Sequence, residues 1–402
     1  MISIDKKTDC CGCTACYNIC PKQAIQMKPD EEGFLYPVVN KDACVECGLC
    51  DKVCPIKNKR TPENEKTSGY IVRNTDKDIV KNSTSGGAFS VFAKHVFDNG
   101  GCVYGAGYDS VMNIVCKKAV NMDELAEMRG SKFVQSNLST VFSDIKELLK
   151  AGTLVMFTGT PCQVSGLLSF LGNKPENLIC IDFVCRGVPS PKLWRNYVDM
   201  MQKKYNSRIV GARFKNKTYG YHATTMKIDF ENGKTWIGSG RIDPMMKAFV
   251  KEMASRPSCG ACYFKGIERP SDITMFDCYE FSAITGKKDD DLGYTSLFIH
   301  SEAGKGLFEK VKNNFITIPV PVNELVTENG IMVCNSAKPS KKRSVFYAAA
   351  GEMPIDEAMK KVSPISSKDH IIERLKGLFF KLGLIPLLKK LKNEKVNIGD
   401  QK

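Results

Sequence analysis

The 402-residue chain has no run of eighteen uninterrupted apolar residues, so the sequence holds no candidate membrane-spanning helix. Its first residues, Met1-Ile2-Ser3-Ile4-Asp5-Lys6-Lys7, have no apolar core of a secretory signal, and a cytoplasmic location is the expectation. An aromatic-basic recognition motif is missing as well. The net charge of +14 comes from lysines scattered along the whole chain, which argues against a nucleic-acid partner. Acidic proteins or an anionic membrane surface account for that charge equally well. With 43% hydrophobic and 25% charged residues the chain reads as globular, and its length predicts a small module plus one or two larger units.

What the chain has in abundance is cysteine, eighteen in all. Where no signal peptide is expected, thiols point to metal binding in a reducing compartment rather than to disulfides. Two runs stand out: Cys10-Cys11-Gly12-Cys13-x2-Cys16-x3-Cys20-Pro21, and Cys44-x2-Cys47-x2-Cys50-x3-Cys54-Pro55. Each has the bacterial ferredoxin spacing, in which three close thiolates hold one 4Fe-4S cluster and the fourth reaches the other cluster. The spacing assigns Cys10, Cys13, Cys16 and Cys54 to one cluster and Cys44, Cys47, Cys50 and Cys20 to a second. Zinc hooks or a disulfide knot are the alternatives, and two complete runs each closed by proline fit them poorly. Cys11 falls outside the pattern and reads as a spare small residue.

Between the runs, alternating apolar residues from Ala24 to Val39 around an acidic, glycine-closed turn predict a hairpin. The polar, proline-marked segment from Ile56 to Thr67 predicts a linker. A strand at Gly69–Arg73 then leads through Asn82-Ser83-Thr84-Ser85-Gly86-Gly87 into a helix, with Ser85 or Thr84 as its cap. An open helix start suits a nucleotide pyrophosphate, which makes Ser83, Ser85, Gly86 and Gly87 candidates; a plain cap is the bland reading. Farther on, Arg129, Ser131, Lys132 and Gln135 offer donors to an anionic or ring-edge partner, or simply form a solvated loop.

The segment Thr153–Gln163 reads as a strand, a Gly-Thr-Pro turn and a helix opened by proline, and Leu178–Cys185 reads as the next parallel strand. Strands joined this way end on the same sheet edge, which predicts that Cys162 and Cys185 lie near each other. Beyond Leu193 three strand-like segments follow, the last two joined by an Asn232-Gly233 turn, then the Cys259-x2-Cys262 hook. With Cys162 and Cys185 that hook makes four thiols, enough for a third 4Fe-4S cluster; half a zinc site or a redox dithiol is the alternative. Cys102, Cys116, Cys180, Cys278 and Cys334 read as buried apolar residues. From His370 to Leu391 the tail is basic and apolar together, suited to an anionic membrane surface or to packing on the body or a partner. Its glycines and Pro386 argue against one straight helix.

The dicluster motif, Ser85-Gly86-Gly87, Arg129-Gly130-Ser131-Lys132, Gly159-Thr160-Pro161-Cys162-Gln163, Cys185-Arg186-Gly187-Val188-Pro189-Ser190 and Arg256-Pro257-Ser258-Cys259-x2-Cys262 occur in one order. This series resembles the beta-subunit family of coenzyme F-420 hydrogenase and dehydrogenase, which includes bacterial relatives and chlorophyll-pathway vinyl and hydroxymethyl reductases, over roughly residues 1 to 320. The resemblance implies an FAD-dependent iron-sulfur oxidoreductase in which Ser-Gly-Gly, Arg-Gly-Ser-Lys and Gly-Thr-Pro-Cys, the last adding Gly159 and Thr160, surround flavin and cluster. It implies a ferredoxin-like electron donor or redox partner subunit and a small-molecule acceptor. Two departures stand out: Arg186 replaces a frequent histidine, and Met275–Phe281 departs from Leu-Gly-Asp-Phe-Trp-Gly. The expected fold is an α+β ferredoxin-like dicluster module over residues 1–60, then a larger α/β domain over 67–345. That domain has a partly parallel sheet and an antiparallel β extension, and a basic tail covers 346–402.

Overall fold

The structure, a computed structural model, describes residues 1–59 and 67–384. Most of the expected linker, and the tail from Ile385 on, lie outside the described residues.

The N-terminal module carries the expected hairpin of β1 (Ile25–Pro29) and β2 (Leu35–Val39), antiparallel with Ile25 opposite Val39. Asp30 holds its turn by accepting from the Glu32 and Phe34 amides, and Gly33 supplies a φ of +87°. The turn thereby presents Phe34 to the large domain. There it is fully buried in the core that contains Trp194 and Tyr197, 5.8 Å from the Tyr347 ring. Burying such a ring contributes about 1.5–3 kcal/mol, so the hairpin tip anchors the module. Arg343 adds a bidentate pair to Glu32.

The large domain is built on an eight-stranded mixed sheet. Its strands are β3 (Ser68–Asn74), β4 (Cys102–Tyr108), β5 (Ile114–Ala119), β6 (Val155–Gly159) and β7 (Leu178–Phe183). A separate antiparallel sheet holds β8 (Ile209–Asn216), β9 (Thr225–Phe230) and β10 (Thr235–Ser239), with the Asn232-Gly233 turn between the last two. The main sheet is completed by β11 (Ile273–Asp277), β12 (Thr295–Ile299) and β13 (Phe315–Pro319), in the order β13-β3-β12-β11-β7-β6-β4-β5. Neighbours β4, β6, β7 and β11 are parallel and form its centre; the flanking pairs are antiparallel. The central strands are almost wholly apolar, as burial on both faces demands.

Helix Arg343–Glu352 runs through position 345, and with Ile355–Val362 it buries Phe346, Ala349, Ile355 and Met359 in the same core as Phe34. The tail then forms one helix, Ser367–Lys381, that passes through Gly377. Contrary to the expectation from its glycines, it breaks only near Gly383, at φ +68°; Pro386 lies outside the described residues. No described helix is long and apolar enough to cross a membrane.

Candidate metal centres and cofactor site

In the N-terminal module, Cys20, Cys44, Cys47 and Cys50 line one cavity. Cys16 packs against the small core that buries Cys54, and Cys10 and Cys13 lie in the segment just before Cys16. Among the described residues no three His, Cys, Asp or Glu side chains converge on a single metal ion. A cubane gives each thiolate its own iron, so its ligand sulfurs stand farther apart than the roughly 4 Å expected around tetrahedral zinc. Thiol chemistry fits clusters. Arg256, fully buried, ties the module to the large domain by donating to the carbonyls of Cys10 (2.8 Å) and Leu35 (3.1 Å) and to Gln135 Oε1 (2.9 Å). Gln135 also donates to Cys11 and Gly12 carbonyls, so it lies at this seam. A Cβ on Gly12 would stand 2.3 Å from Gln135 Nε2, which requires glycine there.

The four interior cysteines converge as well. Cys162, Cys185, Cys259 and Cys262 line a single cavity with Thr160, Arg186 and Lys265. The parallel sheet places two of them: Cys162 opens helix Pro161–Leu171 after β6, and Cys185 follows β7. Thr160 and Gln163 form a capping box that fixes the helix start, and Thr160 Oγ1 lies 3.1 Å from Cys162 Sγ. Cys259 and Cys262 come from the short helix Pro257–Ala261 and the residue after it. Burial, joined by the neighbouring thiols, pushes Cys185 well up and Cys259 to about 12. Such a set holds protons unless a metal takes their place, which suits a four-thiolate cluster. Arg186 is paired with Glu252 and donates to Val250 O (3.3 Å), so its charge is already partnered.

Cys11 is not a spare residue. It lines the interior cavity beside Cys162, while its chain neighbours Cys10 and Cys13 belong to the ferredoxin-type set. It therefore stands between the two thiol sets. Gly166 of the same helix makes this approach possible, since a Cβ there would meet Cys13 Sγ at 2.9 Å. Of the five cysteines expected to be buried, Cys102, Cys180 and Cys278 are, whereas Cys116 is half-buried and Cys334 exposed.

A buried polar chain backs the cavity. Arg269 donates to Asp182 (3.4 Å), and Thr274 donates to the other Asp182 oxygen. Since Thr274 gives its proton away, its oxygen accepts from His300 Nε2 (2.8 Å), leaving Nδ1 to accept from Thr67 (3.2 Å). His300 is thus neutral, and burial reinforced by the Arg269 charge pushes it down to about 3. Its value falls on folding, so the unfolded chain binds a proton below about pH 6.5 that the folded chain refuses. Stability contributed by this group is complete above that pH and lost as pH falls toward 3. Between pH 7 and pH 5, the unprotonated His300 should cost the protein about 2 kcal/mol that a His300→Gln variant does not lose. Urea midpoints at the two pH values check this, and parallel losses in both proteins would refute it.

The candidate cofactor-binding residues divide. Ser83, Ser85, Gly86 and Gly87 precede helix Ala88–Asp98 and are joined to the Arg129–Lys132 loop by the Ser131 amide, which donates to Thr84 Oγ1 (3.0 Å). Gly159 and Thr160 lie at the thiol cavity side with Cys162, and Gln135 lies at the module seam. Neither Ser85 nor Thr84 caps the helix. Gly87 is the N-cap, with no side-chain bond, because Ser85 Oγ is held by Thr295 Oγ1 at 2.8 Å and Thr84 by Ser131. Ser83 donates to Ile79 O, and Lys132 donates to carbonyls at the end of helix Met122–Met128, including Met128 O at 2.8 Å. Burial and the Arg213 and Lys117 charges push Lys132 down to about 7, against the pull of the Glu127 carboxylate. What this rim presents is an uncapped helix start, Arg129 with a buried unpartnered Nε, and Arg213 bonded to Asn82.

The altered segment after Ser271 lies along the same edge. Asp277 ends β11 and pairs with buried Lys215 at 2.8 Å; Tyr279 bonds the same ammonium, and Tyr221 stacks on Tyr279 at 5.0 Å. Burial lowers Lys215, but Asp277 and Tyr279 outweigh it and hold the ammonium above its usual value. Lys217 donates to Ser85 O at 2.7 Å, which links this cluster to the helix start. Sequence reading missed Lys215, Lys217 and Arg213, since only strand pairing brings them to this edge.

Fold and site define an iron-sulfur protein, a dicluster ferredoxin-type module joined to a mixed α/β domain. Residues 9–58 match the 4Fe-4S dicluster domain family. Residues 152–322 match the family described as the C terminus of the coenzyme F420 hydrogenase/dehydrogenase beta subunit, so the chain joins a segment that matches an iron-sulfur dicluster domain to one that matches that family. A chain from the F420-reducing [NiFe] hydrogenase complex of Methanosarcina barkeri is similar at 17% identity and a TM-score of 0.43, over 73% of this chain and 90% of that one. No curated protein matches.

Proposed function

We propose that the protein is an FAD-dependent iron-sulfur oxidoreductase that receives electrons at residues 1–60 and delivers them to a substrate or deazaflavin-like acceptor in the domain 67–345. The observation that carries this reading is the convergence of Cys162, Cys185, Cys259 and Cys262 on one cavity, with Cys11 between it and Cys13. Iron-sulfur clusters, when bound, transfer single electrons, and a flavin pairs two of them for hydride chemistry. The residues present would hold three clusters: Cys10, Cys13, Cys16 and Cys54 one, Cys20, Cys44, Cys47 and Cys50 another, and the four interior thiols the third. Arg129, the helix start after Gly87, and Gly159 and Thr160 would bind and orient FAD. Tyr279 and Lys215, joined by a hydrogen bond, are placed to hold a proton beside that edge. A ferredoxin or redox partner subunit is the expected donor.

A second reading, a non-catalytic electron-relay subunit, is favoured by one observation: Ser83, Ser85 and Lys132 are already bonded within the chain. Iron, sulfide and flavin quantification on anaerobically purified protein separates the two. About twelve irons and one FAD per chain are expected, at four irons per cluster. About eight irons would remove the interior cluster, and a flavin-free protein with full iron would leave the relay.

A further inference from the structure

The helix Ser367–Lys381 is fixed to the body along one face only. Its anchor is Glu373, buried, whose carboxylate accepts from the Ser239 amide (2.8 Å) and hydroxyl (2.7 Å). Phe380 packs edge-on against Tyr219 on the same side, at 5.9 Å. At 100° per residue these two lie within about 20° of each other, so the body-facing side is defined.

The opposite side is apolar, and among the described residues nothing covers it. Ile371, Leu375, Leu378 and the capping Leu382 are 58%, 49%, 52% and 60% exposed. Their spacing of four, three and four places them in an arc of about 60°, centred almost opposite Glu373. Exposed cations border the stripe, with Arg374 and Lys381 on one flank and Lys368 on the other. A soluble surface helix turns its apolar stripe inward; here the buried carboxylate holds the stripe outward.

We propose that this face lies on an anionic lipid surface, with the leucine stripe in the acyl boundary and Arg374, Lys381 and Lys368 at the headgroups. The flanking cations select that occupant, since they complement anionic headgroups on both sides of an apolar strip. The 15-residue helix is about 22 Å long, short of the roughly 30 Å that a bilayer core needs, so it lies along the surface. The proposal is independent of the redox reading.

The test is co-sedimentation of the full-length protein with phosphatidylcholine vesicles that contain or lack phosphatidylserine. Binding is expected to the anionic vesicles and to weaken with added salt. The pair Leu375→Asp and Leu378→Asp should lower it by at least about tenfold, as expected for withdrawing two leucines from an apolar phase. Both positions are exposed, and an unchanged visible spectrum and iron content would verify the fold. Absence of binding to anionic vesicles overturns the proposal, as does binding that the double variant retains. A dimer in light scattering that the double variant dissociates, without vesicle binding, would assign the stripe to a second copy and overturn it too.

Discussion

Replacing Arg269 with methionine is expected to destabilise the protein by about 3–5 kcal/mol, the usual result of removing one partner from a fully buried ion pair. The side chains of Arg269 and Asp182 are only 2% and 0% exposed. Burial pushes Asp182 up, and Arg269 and Thr274 are what oppose it. Without the guanidinium, Asp182 must stay ionised in a dry site or take up a proton. In the second case it stops accepting normally from Thr274, which in turn holds His300. The Gly266 carbonyl loses its donor as well, and the Val333 carbonyl keeps only the Gly266 amide. Denaturant midpoints measure the effect, and a loss below about 1 kcal/mol would sink it. The double change Arg269→Met with Asp182→Leu should recover much of the loss, because two apolar residues leave no charge stranded.

The second large effect concerns iron. Cys185→Ser should lower the iron content from about twelve to about eight per chain, because one interior ligand is lost while both ferredoxin-type sets keep theirs. Cys11→Ala should leave about twelve. Its effect should fall on reduction potentials, since a thiol that lines the interior cavity and lies two residues from Cys13 in the chain changes the polarity around both thiol sets. Potentiometric titration followed by electron paramagnetic resonance reads this directly. A Cys11→Ala protein that loses four irons would instead make Cys11 a ligand, and one with unchanged potentials would reduce it to packing.

Much of this protein is legible in its sequence where the signal is local. The two ferredoxin runs, the hairpin between them and the Gly-Thr-Pro helix start depend on residues within a few positions of one another. Cys162 near Cys185 was also predictable, because a right-handed parallel connection puts both strand ends on one edge. What the local signal does not show is which partner a side chain finds once the chain folds, near or far. Ser85 looks like a helix cap until β12 brings Thr295 to it, and Lys132 looks like a phosphate ligand until its own loop folds it onto helix carbonyls. Cys11 looks idle until Gly166 lets the helix Pro161–Leu171 close on the module.

The sequence by itself therefore determined that the N-terminal module carries the 4Fe-4S dicluster pattern, because thiol spacing along a short segment is set by covalent geometry. Tertiary structure alone decided that Phe34 and Arg256 lock the module in place, that Cys11 stands between two thiol sets, and that the tail turns leucines outward. Those outcomes depend on which surfaces meet across more than a hundred residues, and burial, rather than spacing, selects among them.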